Sequence, residues 1–416
     1  MPCFPLKLRK YRECCVFSLF LLTISFLVYY ILAALAENSA QRDTRPIIGI
    51  YAAPRFHQEV ISVFACAFHT LGYQVHVYLT SGIYFYQWKL PYTDQHIYES
   101  MEHYGNCVDK WININDPYMK LSHNTSVLLF GTYPMRVKGG LRDEKAFSLL
   151  KSFSNQMRPS SRVIYITHRS NEVVNEDSSF LETIIPKQQS IYVFLANHTE
   201  MHARNNYIHG LDYKTAHVYP VLPMNYLIED DVYDEATSHP DFSVQGNFGG
   251  RHAHRKNTDA VINCVRRLED LSPEEKYGLD FIGSGNLNQH SLKQGLLRHL
   301  SDLSHKDFYR AIAITKFLVP AIGEEDYYFS RATSSIPAAL ISHVPIATSR
   351  PFLMLYPCLQ DQPMHRLITR DSECETMMAA SELNDEQYSK IKKEAVHCAE
   401  VYWNESLLTL RRIVQE

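Results

Sequence analysis

What this chain lacks narrows it first. Its 416 residues contain no internal repeat at solenoid spacing and no low-complexity tract, which excludes a stacked array. No excess of one charge is present. Lys and Arg number 41 against 45 Asp and Glu, a formal charge of -4 with 21% charged and 45% hydrophobic residues, so the composition carries neither a disordered bias nor a nucleic-acid signature. No P-loop and no Gly-x-Ser-x-Gly elbow occurs, which argues against a kinase or a serine hydrolase. The His-Glu-x-x-His order of zinc proteases is also missing. His198-Thr-Glu-Met-His202 is a different pattern, and the pair His252-Ala-His254 sits in a basic loop where further cationic charge is disfavoured, so no metal site is expected.

What is present begins with the N-terminus. Lys7, Arg9, Lys10 and Arg12 precede an uncharged run, Cys14 to Ala36, long enough to cross a bilayer and longer than an ordinary signal-peptide core. The expected order is a cytosolic tail (1–13), a transmembrane signal anchor (14–36) and a lumenal body, making a single-pass type II protein of the Golgi or endoplasmic reticulum membrane. A cleaved signal peptide is the competing reading, because Ala34-Leu35-Ala36 has the small-x-small form of a cleavage site. Sequons at Asn124, Asn197 and Asn404 agree with a secretory route. So do six cysteines in the body, Cys66, Cys107, Cys264, Cys358, Cys374 and Cys398, an even number for which 15 pairings are open.

The body alternates strand and helix signals, which predicts an α/β fold. Ile47–Tyr51, a helix over about 59–71 stopped by Gly72, and Val75–Leu79 make a β-α-β unit, which forces a parallel sheet with a right-handed crossover. Further strands are expected at 126–130, 163–167, 191–195 and 217–221, giving a doubly wound first domain over 37–228. An acidic, irregular stretch from 225 to 239 marks the boundary to a second such domain, 229–416. Its expected strands are 242–245, 279–283, 315–319 and 344–347, its helices begin near Thr258, His305 and Pro337, and a closing helix runs from about 385 to 403 and resumes to 414 after an interruption.

Two constellations carry chemistry. Behind the strand at 242–245 stands Gly249-Gly250-Arg251-His252-Ala253-His254-Arg255-Lys256, a basic glycine turn at the carboxyl end of a parallel strand, where open α/β sheets bind ligands. In the stretch Phe308–Ser349, Glu324, Glu325 and Asp326 precede a helix start at Thr333, Ser334 and Ser335 with Pro337 just inside, a pattern suited to an anion and equally to an ordinary capped helix.

These residues resemble the GT-B nucleotide-sugar glycosyltransferases, in particular the retaining branch of sucrose- and glycogen-synthase-like enzymes. Gly250-Arg251 followed by Lys256 matches that family's diphosphate-binding turn. The strand ending Ile282-Gly283-Ser284-Gly285 resembles its second glycine turn, and Glu324, four residues after Pro320, stands where its first glutamate contacts the donor sugar. Ala338 departs from the pattern, since the family's ribose-binding glutamate belongs there. The resemblance implies two Rossmann-like domains and a hexosyltransferase acting on a lumenal glycan, protein or lipid. It implies donor binding by Gly250, Arg251, Lys256, Gly283, Thr333, Ser334 and Ser335, with Glu324, His57 and His168 as catalytic candidates on the donor and acceptor sides. No cofactor beyond the nucleotide-sugar co-substrate is expected. The sequence has no Asp-x-Asp triplet of the kind metal-dependent GT-A enzymes use on the diphosphate, which favours fixed cations over a divalent ion. A non-catalytic binding protein of the same architecture is the alternative.

Overall fold

The computed structural model describes residues 45–52, 58–79, 107–113, 121–122, 124–131, 144–171, 184–208, 213–222, 240–249, 254–285, 287, 295–301 and 303–415. The proposed tail and anchor lie outside them, as do His57, Gly250, Arg251 and the acidic stretch 225–239. Among the described residues no helix is long and apolar enough to cross a membrane.

Pro46–Glu416 form one compact unit built on two sheets. The larger sheet comprises β1 (Ile47–Ala52), β2 (Gln74–Leu79), β3 (Lys110–Asn113), β4 (Thr125–Phe130), β5 (Arg162–Thr167), β6 (Ser190–Phe194) and β7 (Lys214–His217). Their order is β3-β2-β1-β4-β5-β6-β7 and every pairing is parallel. The smaller sheet holds β8 (Phe242–Gln245), β9 (Gly278–Ile282), β10 (Leu296–Leu300) and β11 (Phe317–Leu318), ordered β10-β9-β8-β11 and again all parallel. Both sheets therefore wind outward in two directions, from the gaps β1/β4 and β8/β11. Such switch points open a crevice at the carboxyl ends of the strands.

Helices cover the faces. In chain order they are α1 (Gln58–Thr70), α2 (Glu144–Ser154), α3 (Asn197–Asn206), α4 (Thr258–Leu271), α5 (His305–Ala313), α6 (Asp326–Phe329), α7 (Ser335–Ile341), α8 (Arg350–Leu353), α9 (Pro357–Asp361), α10 (Pro363–Ile368), α11 (Glu373–Ser381) and α12 (Asp385–Gln415). Continuous apolar strands such as Val163–Ile166 and Ile191–Phe194 are buried on both sides, as a covered parallel sheet requires. One face of the large sheet packs Ile48, Ile50, Val127 and Ile164 against Phe64 and Phe68 of α1, and the other packs Tyr51, Phe130 and Tyr165 against Leu149 and Phe153 of α2.

The closing helix is uninterrupted, unlike the two pieces expected. Its buried residues Ile391, Ala395, Cys398, Ala399, Tyr402, Ser406, Leu410 and Ile413 recur at helical spacing, so one apolar stripe runs its whole length. Ile391 belongs to the core of the small sheet, whereas Leu410 and Ile413 belong to that of the large one. Three expected strands shift for identifiable reasons. β7 is Lys214–His217 rather than 217–221, because after Val218 N–H bonds Phe194 O at 2.8 Å the chain reaches Pro220, which has no N–H to offer a ladder. Segment 344–347 forms only an isolated rung, Leu318 with Ile346. Strand β11 is two residues long because Thr315 still closes the preceding helix, its hydroxyl donating to Ile312 O at 2.8 Å.

All six cysteines of the body pair, as Cys66–Cys107, Cys264–Cys374 and Cys358–Cys398. Cys264–Cys374 ties α4 to α11 across 110 residues, and Cys358–Cys398 fastens α9 to α12. Because a crosslink of that span removes chain entropy from the unfolded state, replacing Cys264 and Cys374 together by Ala should lower the unfolding free energy by about 2–4 kcal/mol. An unchanged urea midpoint would show that the bridge does not form.

Candidate functional site

The site grows from the ends of β8 and β11. Beyond β8 the chain reaches Gly246, whose N–H bonds Ile282 O at 3.1 Å while the Lys256 side chain lies over its Cα. Gly283, at the end of β9, has φ +139°, and a Cβ there would overlap the Gly246 carbonyl. Only glycine fits, and its place in the fold is this close backbone crossing. The chain then returns through 254–257, which pairs antiparallel with 321–323: Asn257 N–H bonds Ala321 O at 2.9 Å and Gly323 N–H bonds Arg255 O at 3.0 Å. Asn257 caps α4, its side chain accepting from Ala260 N–H at 3.3 Å.

This geometry aims Lys256 across the switch point. Its Nζ donates to Pro320 O at 2.6 Å and to Ser335 Oγ at 2.8 Å. Gln245 Oε1 accepts from Ser335 Oγ at 3.2 Å and Ser334 Oγ at 3.3 Å, and Thr333 Oγ1 accepts from Ser335 N–H at 3.2 Å. Lys256, Thr333, Ser334 and Ser335, singled out from sequence, thus meet in one cluster. Two members were not foreseen. Gln245 is the polar last residue of a buried strand, which is the signal that marks it. Glu373, the first residue of α11, accepts the Ala321 and Ile322 N–H groups and faces Lys256 electrostatically. Burial pushes the Lys256 ammonium down to about 8, with Glu373 opposing, and pushes the Glu373 carboxyl up to about 7, with Lys256 opposing.

Glu324 lies beside this cluster and is held from two sides. Oε2 accepts from Arg331 Nη1, and Oε1 lies 2.6 Å from His254 Nε2. Burial alone would raise its pKa, but Arg331, then His254 and Arg255, outweigh burial and hold the carboxyl below its usual range. Arg331 also approaches Asp326 at 3.4 Å and the Tyr327 ring at 5.0 Å.

The Arg331 backbone is where the two sheets' loops join. Arg169, beyond β5, pairs with Arg331 in an antiparallel bridge; Ser170 N–H bonds Ser330 O at 2.8 Å and Ala332 N–H bonds His168 O at 3.2 Å. His168 is thereby brought next to Ala332, one residue before Thr333. From α3, His198 Nε2 donates to Arg331 O at 3.2 Å, while His202 Nδ1 meets Ser170 Oγ at 2.8 Å. Beneath them Tyr356 accepts the Thr333 N–H, and Tyr219 stacks on Tyr402 at 4.0 Å. Ala338 is buried, one turn inside α7, and packs with Leu340, Ile341 and Tyr356 in the core rather than facing Lys256.

No family model matches the chain, and no curated relative matches it in sequence. Its likeness is to solved structures. An alpha-glucosyltransferase in complex with UDP-glucose and DNA containing an abasic site superposes with a TM-score of 0.62 at 10% identity, over 89% of this chain and 100% of that one. A glycosyltransferase from Rickettsia africae gives 0.55 at 12% identity, over 89% and 98%. Sucrose-phosphate synthase from Thermosynechococcus elongatus gives 0.50 at 10%, over 89% and 98%. At such identities the shared property is the fold: an α/β arrangement of parallel sheets resembling GT-B glycosyltransferases.

The interface sets a pH dependence. Burial pushes His198 down to about 4, against about 6.5 for a free imidazole, so the folded state holds it neutral while the unfolded chain takes up a proton. Stability should fall as pH drops from about 6.5 to about 4, by up to about 3 kcal/mol from this residue. His198→Gln should flatten the stability profile in that window relative to the wild type. Parallel profiles from urea titrations would show that His198 does not carry the slope.

Proposed function

We propose that this chain is a glycosyltransferase that moves a sugar from a nucleotide-sugar donor to a glycan, protein or lipid acceptor. The observation that carries the reading is the convergence of Lys256 with Thr333, Ser334 and Ser335 at the β8/β11 switch point, under loops from the other sheet. A crevice with one fixed ammonium and three hydroxyls suits a diphosphate. Arg251, in the same basic turn by sequence, adds a second cation in this reading.

In the mechanism, Lys256 exchanges Ser335 Oγ for a diphosphate oxygen. As the glycosidic bond lengthens, negative charge grows on the leaving diphosphate, and Lys256 and Arg251 stabilise it more than they stabilise the ground state, which is what lowers the barrier. Glu324, ionised, accepts a donor hydroxyl. The acceptor enters from the large sheet past His168 and His57. Lysine and arginine, rather than a divalent ion, neutralise the leaving group, so transfer should persist in a chelator. Retention of configuration is the proposed outcome, following the resemblance of Gly250-Arg251, Lys256 and Glu324 to the retaining branch. The body is proposed to lie in the lumen behind the anchor at 14–36, and three disulfides support an oxidising compartment. Of the sequons, Asn124 and Asn404 are both exposed, and Asn124, ahead of β4 rather than inside a helix, fits glycosylation best.

A non-catalytic binding protein is the second reading, favoured by the buried Ala338 and by the lack of a carboxylate in the first turn of α7. Diphosphate binding without turnover of any nucleotide sugar would select it.

Lys256→Met should weaken binding of a nucleoside diphosphate by about 10–100-fold, the loss of one charge-assisted bond. Wild-type affinity should decline as pH rises through about 8, where the free ammonium is lost. Lys256→Arg, charged throughout, should remove that decline. Titration calorimetry at pH 7 and 9 checks both, and an affinity indifferent to either change would sink the assignment.

A further inference from the structure

At the opposite edge of the large sheet, by the amino ends of β6 and β7, lies a cavity of about 560 Å³. It is separated from the carboxyl-end crevice by the length of a five-residue strand, roughly 16 Å. Ile191, Ile208 and Ile413, all buried, close its back, and Arg204, Lys214 and Arg412 bring three cations to it. Each comes from a different element: α3, β7 and the last turn of α12. Tyr213, which also lines the cavity, meets Tyr192 edge-on at 5.3 Å and carries Lys187 at 5.1 Å from its ring.

The ordinary explanation is that Arg204 and Arg412 simply offset the negative ends of their helices. Charge counting shows this is insufficient. Arg204 is neutralised by Glu200, whose Oε1 lies 2.9 Å from Nε and which also holds Thr215 and His217. Two helix C-termini contribute about half a negative charge each, leaving about one positive charge over among the described residues. Lys214 and Arg412 have no carboxylate partner among the described residues. The opening is lined mainly by polar groups, with three cations among them, and its volume exceeds what inorganic phosphate fills.

We infer that this cavity binds a sugar-sized ligand bearing one anionic group, a carboxylate or a phosphate, separately from the donor crevice. Tyr213 lies against the sugar ring, and Lys214 and Arg412 take the charge. Such a ligand is either a free sugar acid or sugar phosphate, or the acidic residue of a longer glycan.

The test is titration of the full chain with glucuronate, glucose 1-phosphate, a trisaccharide ending in glucuronate, and glucose. Either charged monosaccharide should bind the wild type and Lys256→Met alike, with affinity falling as salt rises, and glucose should bind at least tenfold more weakly. Lys214→Glu combined with Arg412→Glu should weaken anion binding at least tenfold, whereas Arg411→Glu, next door but outside the cavity wall, should not. Tighter binding of the trisaccharide than of glucuronate supports the site with a glycan as source, and the reverse supports it with a free sugar anion. The inference is overturned by no anion-dependent binding, by equal binding of glucose, by loss in Lys256→Met with retention in the double variant, or by an equal effect of Arg411→Glu. Because Lys256→Met disables only the proposed donor site, failure of either reading is visible without the other.

Discussion

The bond pair made by Lys256 is the constraint on which this half of the structure turns. One ammonium bonds three segments at once: the turn after β8 that carries it, the end of β11 through Pro320 O, and the start of α7 through Ser335 Oγ. An uncompensated charge at that depth is costly, and the stabilising partner is Glu373, delivered from α11 more than a hundred residues later. The glycines follow from the same geometry. Gly246 must leave room for the lysine stem, and Gly283 must let β9 pass the Gly246 carbonyl. A larger residue at Gly246 would push on the lysine stem, and one at Gly283 would push on the Gly246 backbone.

Much of the fold was legible because its signals are local. A parallel sheet buried on both faces writes itself as short apolar runs, and the runs at 163–167 and 191–195 were found within a residue or two of β5 and β6. Errors fell where a local signal was overridden. The run 217–221 is apolar enough for a strand, but Pro220 ends the ladder. The closing helix reads as interrupted near Trp403–Asn404 because its polar residues cluster there. In the structure they face outward while Tyr402 and Ser406 keep the buried stripe unbroken.

The site was legible in part, and the division is physical. Lys256 and the Thr333–Ser335 hydroxyls are visible because a basic glycine turn and a hydroxyl-rich helix start have fixed spacing. The partners of Gln245 and Glu373 are not, since they lie 90 and about 50 residues away and depend on how strands are ordered. The shift at Ala338 has the same origin. Spacing from Pro345 puts it at a helix start, but α7 begins three residues earlier, at Ser335, so the residue beside Lys256 is a serine and Ala338 turns into the core.

Arg331 explains why the two sheets cannot act independently. Its main chain pairs with Arg169 and accepts from His198, both on the large-sheet side, while its guanidinium grips Glu324 on the small-sheet side. The side chain is almost fully buried, so the ion pair is poorly screened and the guanidinium has little freedom to follow Glu324 without its backbone. Any change in the spacing of the halves must therefore move Arg331 and release or tighten Glu324. The neutral state of His198 adds to the same coupling: it donates through Nε2 to the Arg331 carbonyl, so protonating it places a buried charge at the joint. The carboxylate nearest the proposed donor sugar is thus held in place from the large-sheet side, through one residue whose backbone and side chain serve opposite halves of the molecule.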